Sequence, residues 1–171
     1  MRWRRERRPT AAGEHGPAPV WRRLLTVPAA PEAVRQVRCD TGDALTEYGI
    51  GRDTAFAGAV LLVVSELVAN AVRHAGDHSP TVDVTVAVGA GQLVVGVADR
   101  DPRLPDLSPE ALGDGLRTVT DLTAAYDGTL RVEPAAHGHG KAVVARFRVP
   151  GAPRGSSPAR PLPDALDRRT R

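Results

Sequence analysis

Between positions 20 and 149, apolar residues recur either at every second position or at steps of three and four, and these two periods divide the chain into strands and helices. WRRLLTV at 21–27 reads as a strand ended by Pro28 and Pro31. Val34, Val37, Thr41, Leu45 and Tyr48 follow the helical step, which predicts a first helix from Pro31 to about Tyr48 with Gly49 behind it. A second helix is predicted to open with Asp53 as its N-cap, to run through Phe56, Val60, Leu61, Val64, Leu67, Val68 and Val72, and to close at Gly76. TVDVTVAV at 81–88 alternates strictly, GAG at 89–91 is a tight turn and QLVVGVAD at 92–99 is a further strand, so the three read as a hairpin. Pro102, Pro105 and Pro109 make 100–112 a loop that ends in GDGL. From Leu116 the spacing of Val119, Leu122 and Tyr126 predicts a third helix stopped by Gly128, and TLRVEP and KAVVARFRVP form a closing pair of strands around AAHGHG.

Strands joined by hairpins, with helices arriving in clusters, favour an α+β two-layer sandwich with helices on one face of a mixed, mainly antiparallel sheet. A doubly wound parallel sheet would need regular alternation. The periodic signal is missing from residues 1–19 and 150–171, which are charged or rich in Pro and Gly. The predicted organisation is a disordered basic tail (1–19), one folded domain (20–149) and a disordered Pro/Arg-rich tail (150–171). A length of 171 residues suits one domain with a real core and is short for two.

The net charge of +3 invites a nucleic-acid reading until it is located. Residues 1–10 carry five Arg against Glu6, and residues 151–171 carry five Arg against Asp164 and Asp167, so residues 11–150 hold a net of −4. An acidic core argues against a DNA-binding fold, leaving the tails only weak, salt-dependent attraction to acidic partners. Cys39 is the only cysteine, which excludes an intramolecular disulfide, fits a reducing compartment and suggests a buried small hydrophobe. MRWRRERRPT is followed by AAGEHGPAP rather than an apolar stretch, and the longest apolar run, AFAGAVLLVV, is about half of what a membrane span requires. A soluble, cytoplasmic protein is expected.

In SELVANAVRHAG, at 65–76, Glu66, Asn70, Arg73 and His74 fall within roughly one third of the helix circumference, with apolar residues over the rest. A carboxylate and a carboxamide one turn apart can meet the same ligand. Magnesium prefers oxygen ligands and keeps waters and phosphates in its shell, so the Asn70 carbonyl suffices as its protein oxygen, and Glu66 is placed to accept a proton from an attacking hydroxyl. The same stripe is also what the solvated face of any surface helix shows. Asp99, at a strand end, suits the exocyclic amine of adenine and equally suits a turn. Gly113 and Gly115 precede a helix whose first amides are free to bind phosphate, or form a flexible connector. Lys141 either contacts phosphate or simply starts a strand. His74 with His78, and His137 with His139, have no third soft ligand nearby and Cys39 is isolated in sequence, which argues against a zinc site.

Taken in order, SELVANAVRHAG, VADRDPRLP and GDGL resemble the N box and the two glycine boxes of the nucleotide-binding domain shared by gyrase, histidine kinases and the anti-sigma factor kinases, over residues 20–149. The chain is most similar to the stand-alone anti-sigma factor serine/threonine kinases of Gram-positive bacteria, including small actinobacterial ATP-binding regulatory proteins. The resemblance implies a Bergerat ATP-binding fold with ATP and Mg2+ as cofactors. Asn70 would hold magnesium, Glu66 would be the general base and Asp99 would bind adenine. Gly113 and Gly115, with Leu116 behind them, would hinge a lid over the phosphates, and Arg73, His74 and Lys141 would line the nucleotide. It also implies a sigma factor and an antagonist protein as partners, the antagonist being phosphorylated on Ser or Thr. A homodimer stays open, and neither a membrane nor a specific nucleic acid is expected.

Two departures bear on activity. The first glycine box of the family reads D-x-G-x-G, whereas here Asp99, Arg100, Asp101, Pro102 and Arg103 stand in its place. Relatives carry Arg within or just before the second box, whereas this chain has Glu110 and Asp114 there and no Arg until Arg117. A carboxylate near phosphate repels it. Two functions therefore stay open: phosphoryl transfer to a Ser or Thr of an antagonist, or a non-catalytic regulator that binds ATP or sequesters a partner.

Overall fold

The computed structural model describes residues 4–6, 20–75, 78–105, 113–135 and 140–152. Gly76, Glu110, His137 and His139, along with most of both tails, lie outside the described residues. In chain order the elements are β1 (Arg4–Glu6), β2 (Trp21–Pro28), α1 (Glu32–Glu47), α2 (Ala55–Ala75), β3 (Thr81–Gly89), β4 (Gln92–Asp99), α3 (Asp114–Ala125), β5 (Thr129–Pro134) and β6 (Lys141–Arg148). The strands form one sheet in the order β1-β2-β3-β4-β6-β5. Every pairing among them is antiparallel. The expected two-layer α+β arrangement is present, with no parallel pair among the described strands.

Strand alternation decides which residues meet the helices. Leu25 and Val27 of β2, Val82, Val84 and Val86 of β3, Leu93, Val95 and Val97 of β4, and Ala145 and Phe147 of β6 are buried, while their neighbours face away. β3 and β4 are joined at Ala90 and Gly91, which both have positive φ, 50° and 73°. Two successive positive φ values are what a two-residue turn needs to match the twist of the strands it joins.

On the helical layer, α1 buries Ala33, Val37, Thr41, Ala44 and Leu45. Cys39, expected in the core, is exposed. It lies about 200° around the helix from Val37 and so on the far side of the buried stripe. Arg23 of β2 pairs with Glu47 at the end of α1, tying that helix to the sheet. The Oγ1 of Thr54 accepts the amide of Ala57 at 3.1 Å, so Thr54 and not Asp53 caps α2. α2 is long and apolar enough by composition to cross a membrane, but half of that stretch is buried within the protein. Val60, Val63, Val64, Leu67 and Val68 supply the central stripe of the core.

Aromatic residues are few, and three of them meet at one place. The ring of Phe56 lies 5.0 Å from Tyr126 and 6.1 Å from Phe147, edge to face in both cases. This cluster packs the start of α2 and the end of α3 against the end of β6. Residues 4–6, assigned to a disordered tail by composition, add a short strand beside β2.

Candidate functional site

The inward row of β4 runs Leu93, Val95, Val97, Asp99, and the inward row of β6 runs back Phe147, Ala145, Val143, Lys141. Asp99 and Lys141 are directly opposed in the register, so strand alternation alone turns a carboxylate and an ammonium toward the helices at one end of the sheet. Both are buried, at 6% and 7% exposure, and the Nζ of Lys141 donates to Asp99 Oδ1 at 2.9 Å.

A second carboxylate joins them. Asp101, 2% exposed, donates its backbone N–H to the same Asp99 Oδ1 at 2.9 Å. Lys141 Nζ also donates to the Asp101 carbonyl at 3.3 Å and lies 3.7 Å from its Oδ2. Arg103 grips the Asp101 carboxylate side-on, its Nε at 3.0 and 3.1 Å from the two oxygens and its Nη2 at 2.9 Å from Oδ2. The same Nη2 donates to the His74 carbonyl at 3.0 Å, strapping the loop after β4 to the end of α2. These Arg103 hydrogen bonds hold the Asp101 carboxyl well below the usual aspartate range, against the opposing effect of burial and with a smaller contribution from Lys141.

With Oδ1 of Asp99 taken by two donors, its Oδ2 has no hydrogen-bond donor among the described residues. Asp99 lines a cavity of about 550 Å³, a size suited to a nucleotide or similar small molecule. The opposite wall is formed by α2 and the start of α3. Gly113 caps α3 in an extended conformation with no side-chain bond, and the first of the helical bonds here runs from the Arg117 amide to the Gly113 carbonyl. The amides of Asp114, Gly115 and Leu116 thus precede the hydrogen-bonded turns at the positive end of the helix dipole.

Asn70, Arg73, His74, Asp99, Gly113, Gly115, Leu116 and Lys141, the binding residues expected from sequence, all line this cavity. Glu66 does not. Its carboxylate lies behind Gly115, with Oε2 only 2.6 Å from where a Cβ of that residue would stand. The first turn of α3 therefore packs against the tip of the Glu66 side chain, which a larger residue at 115 would have to displace. Lys141 starts β6 and lines the cavity, and its ammonium is turned onto the two aspartates. Its donors are taken by Asp99 and Asp101. Asp101 and Arg103, in the stretch read only as a loss of glycines, were missed. The one local signal was a second acidic residue two positions after Asp99.

The donor set can be compared with what a nucleotide and its metal require. Asp99 Oδ2 is a single charged acceptor, which matches the single exocyclic amine of adenine. Guanine presents two donors side by side and would need both oxygens. For magnesium the α2 side of the cavity offers one side-chain oxygen, Asn70 Oδ1, which accepts Arg73 Nη1 at 2.9 Å. No group of three or more His, Cys, Asp or Glu able to hold a metal occurs among the described residues. One neutral oxygen fits a magnesium ion carried in by phosphates and does not fit one held by protein alone.

An antiparallel sheet backed by three helices, with a polar-floored cavity between one end of the sheet and two helix ends, defines a ligand-binding α+β sandwich. Residues 27–147 match the histidine kinase-like ATPase domain, and the chain belongs to that family. No curated protein matches it. Among solved structures it is similar to the histidine kinase domain from the Erythrobacter litoralis EL346 blue-light activated histidine kinase, at 24% identity and a TM-score of 0.47, over 68% of this chain and 61% of that one. Full-length ShkA in complex with AMPPNP is similar at 20% identity and a TM-score of 0.45, over 74% of this chain and 32% of that one. The chain therefore spans less than two thirds of each of these proteins.

Proposed function

We propose that this protein is an ATP-binding regulator resembling the anti-sigma factor kinases, in which nucleotide occupancy of the cavity governs capture of a sigma factor or its antagonist. The observation that carries the reading is Asp99: a buried carboxylate at the cavity wall with one oxygen fixed and the other left as an acceptor. Adenine would place its amine on that oxygen. The triphosphate would run toward the amides that open α3 and toward Arg73, an arrangement that suits an anion. Magnesium, when bound, would shield phosphate charge, with Asn70 Oδ1 as its protein oxygen.

Rapid phosphoryl transfer fits this wall less well. Glu66 lies behind Gly115 and outside the cavity lining, and Asp114 brings a negative charge to the phosphate end. The reading as a Ser/Thr kinase keeps one observation in its favour, the position of Glu66 one helical turn from Asn70 and against the first turn of α3. A modest shift of α3 would expose the carboxylate to a bound terminal phosphate.

Calorimetric titration with ATP, with and without magnesium, tests the main reading. The wild type should bind, and Asp99→Asn should weaken binding at least about tenfold, the loss of one hydrogen bond to a charged group. No binding by the wild type under either condition overturns the proposal. Labelled phosphate appearing on a sigma factor antagonist, and abolished by Glu66→Gln, selects the kinase reading instead.

A further inference from the structure

A buried ammonium is costly unless its donors are satisfied, and Lys141 is satisfied by the groups that surround Asp99. Nζ lies 2.9 Å from Asp99 Oδ1, 3.3 Å from the Asp101 carbonyl and 3.7 Å from Asp101 Oδ2. The other charged or titratable residues that line the cavity are Arg73, His74, Arg103 and Asp114. Arg103 is committed to Asp101 and the His74 carbonyl, and Arg73 to Asn70. Among the described residues, Lys141 is thus the one cation paired with the Asp99 carboxylate.

A carboxylate turns easily about its last torsion, because that well is broad and nearly two-fold. One backbone amide, that of Asp101, is a weak restraint on it. The addition of a charged donor on the same oxygen fixes the plane of the group and leaves Oδ2 as the acceptor for a ligand. We propose that Lys141 is a positioning residue for base recognition: by holding Oδ1 it presents Oδ2 of Asp99 to the 6-amino group of a purine. The proposal rests on the ATP reading given above. In it, Lys141 touches neither base nor phosphate and acts through Asp99.

The experiment compares ATP with purine riboside 5′-triphosphate, which differs only in lacking the 6-amino group, by calorimetry on the full chain. The wild type should bind ATP about tenfold tighter than the analogue, the worth of one charge-assisted hydrogen bond. In Lys141→Met this preference should fall to about threefold or less, mainly because ATP binding weakens, and Lys141→Arg should recover most of it. If Lys141→Met does not fold, as judged by its melting transition, Lys141→Gln is read by the same ratio. A wild-type ratio kept in a folded Lys141→Met or Lys141→Gln overturns the proposal. Equal weakening of both nucleotides does so too, since that is the signature of a phosphate contact. The ATP reading fails separately, by a wild type that binds neither nucleotide, and the adenine role of Asp99 fails by a wild type that binds both equally.

Discussion

Gly140 meets the backbone of Asp99 so closely that a Cβ on Gly140 would overlap the Asp99 carbonyl and the Cα of Arg100. Its φ of +89° is a second reason for glycine. This approach sets the register in which Lys141 faces Asp99, so the turn before β6 and the floor of the cavity are a single feature. Gly140→Ala should cost at least about 2 kcal/mol, from strained backbone and overpacking together. The expected outcome is a melting temperature lower by several degrees, with ATP affinity reduced in whatever fraction stays folded.

Acid should weaken the strap between the loop after β4 and the end of α2. The Asp101 carboxyl is depressed in the folded state, first by its hydrogen bonds from Arg103. A group depressed on folding contributes stability that is fully present above its unfolded pKa, about 3.9, and is lost as pH falls toward the folded value. The melting temperature of the wild type should therefore fall as pH drops below about 4. Asp101→Asn should be less stable than the wild type at pH 7 and should show a shallower decline across that acid range. Parallel curves for the two proteins would remove Asp101 from the account.

What was legible in the sequence was whatever depends on period. Strict alternation in TVDVTVAV and QLVVGVAD fixes which side of the sheet each residue faces, and the three-and-four step from Val34 to Leu45 fixes the buried side of α1. That Asn70, Arg73 and Asp99 share one site was implied by the family resemblance and not by period, and one cavity does reach all three. What was not legible depends on register between distant strands. The contact of Lys141 with Asp99 spans 42 positions and exists only because β4 and β6 pair as they do. The Asp101 and Arg103 pair looked like missing glycines because its value lies in the buried ammonium beside it. By residue type Asp53 is the better cap, and only backbone geometry gives the position to Thr54. The strand at Arg4–Glu6 carries no apolar alternation, since pairing at a sheet edge is made by backbone groups.

The hairpin turn offers a stabilising change. Ala90 adopts φ of 50°, a conformation in which Ala is strained and Asn is well tolerated. Ala90→Asn gives the Asn-Gly pair favoured in such turns and lies far along the strands from the cavity. The expected gain is about 0.5–1 kcal/mol, or a rise of roughly 1–4 °C in melting temperature for a domain of this size. ATP affinity should not change. A lower melting temperature would show that the turn is held by something other than its backbone preference.

Arg73 and Glu66 separate binding from transfer, because they share a helix and differ in what they reach. Arg73 lines the cavity and donates to Asn70 Oδ1 at 2.9 Å, whereas Glu66 lies behind Gly115. If the phosphates lie between Asn70 and the start of α3, Arg73→Ala should weaken ATP binding about tenfold in EDTA, where no metal shares the phosphate charge. The loss should be smaller with magnesium present, since the substitution also frees Asn70 Oδ1 to take the ion. Raising the salt should shrink the effect further, as expected for an exposed cation. Glu66→Gln removes a charge that does not line the cavity and should leave ATP affinity within about twofold under both conditions. Titrations of the two variants at two salt concentrations check all of this. An Arg73→Ala protein that binds ATP like the wild type, alongside a Glu66→Gln protein that does not, would place the phosphates on the other side of α3.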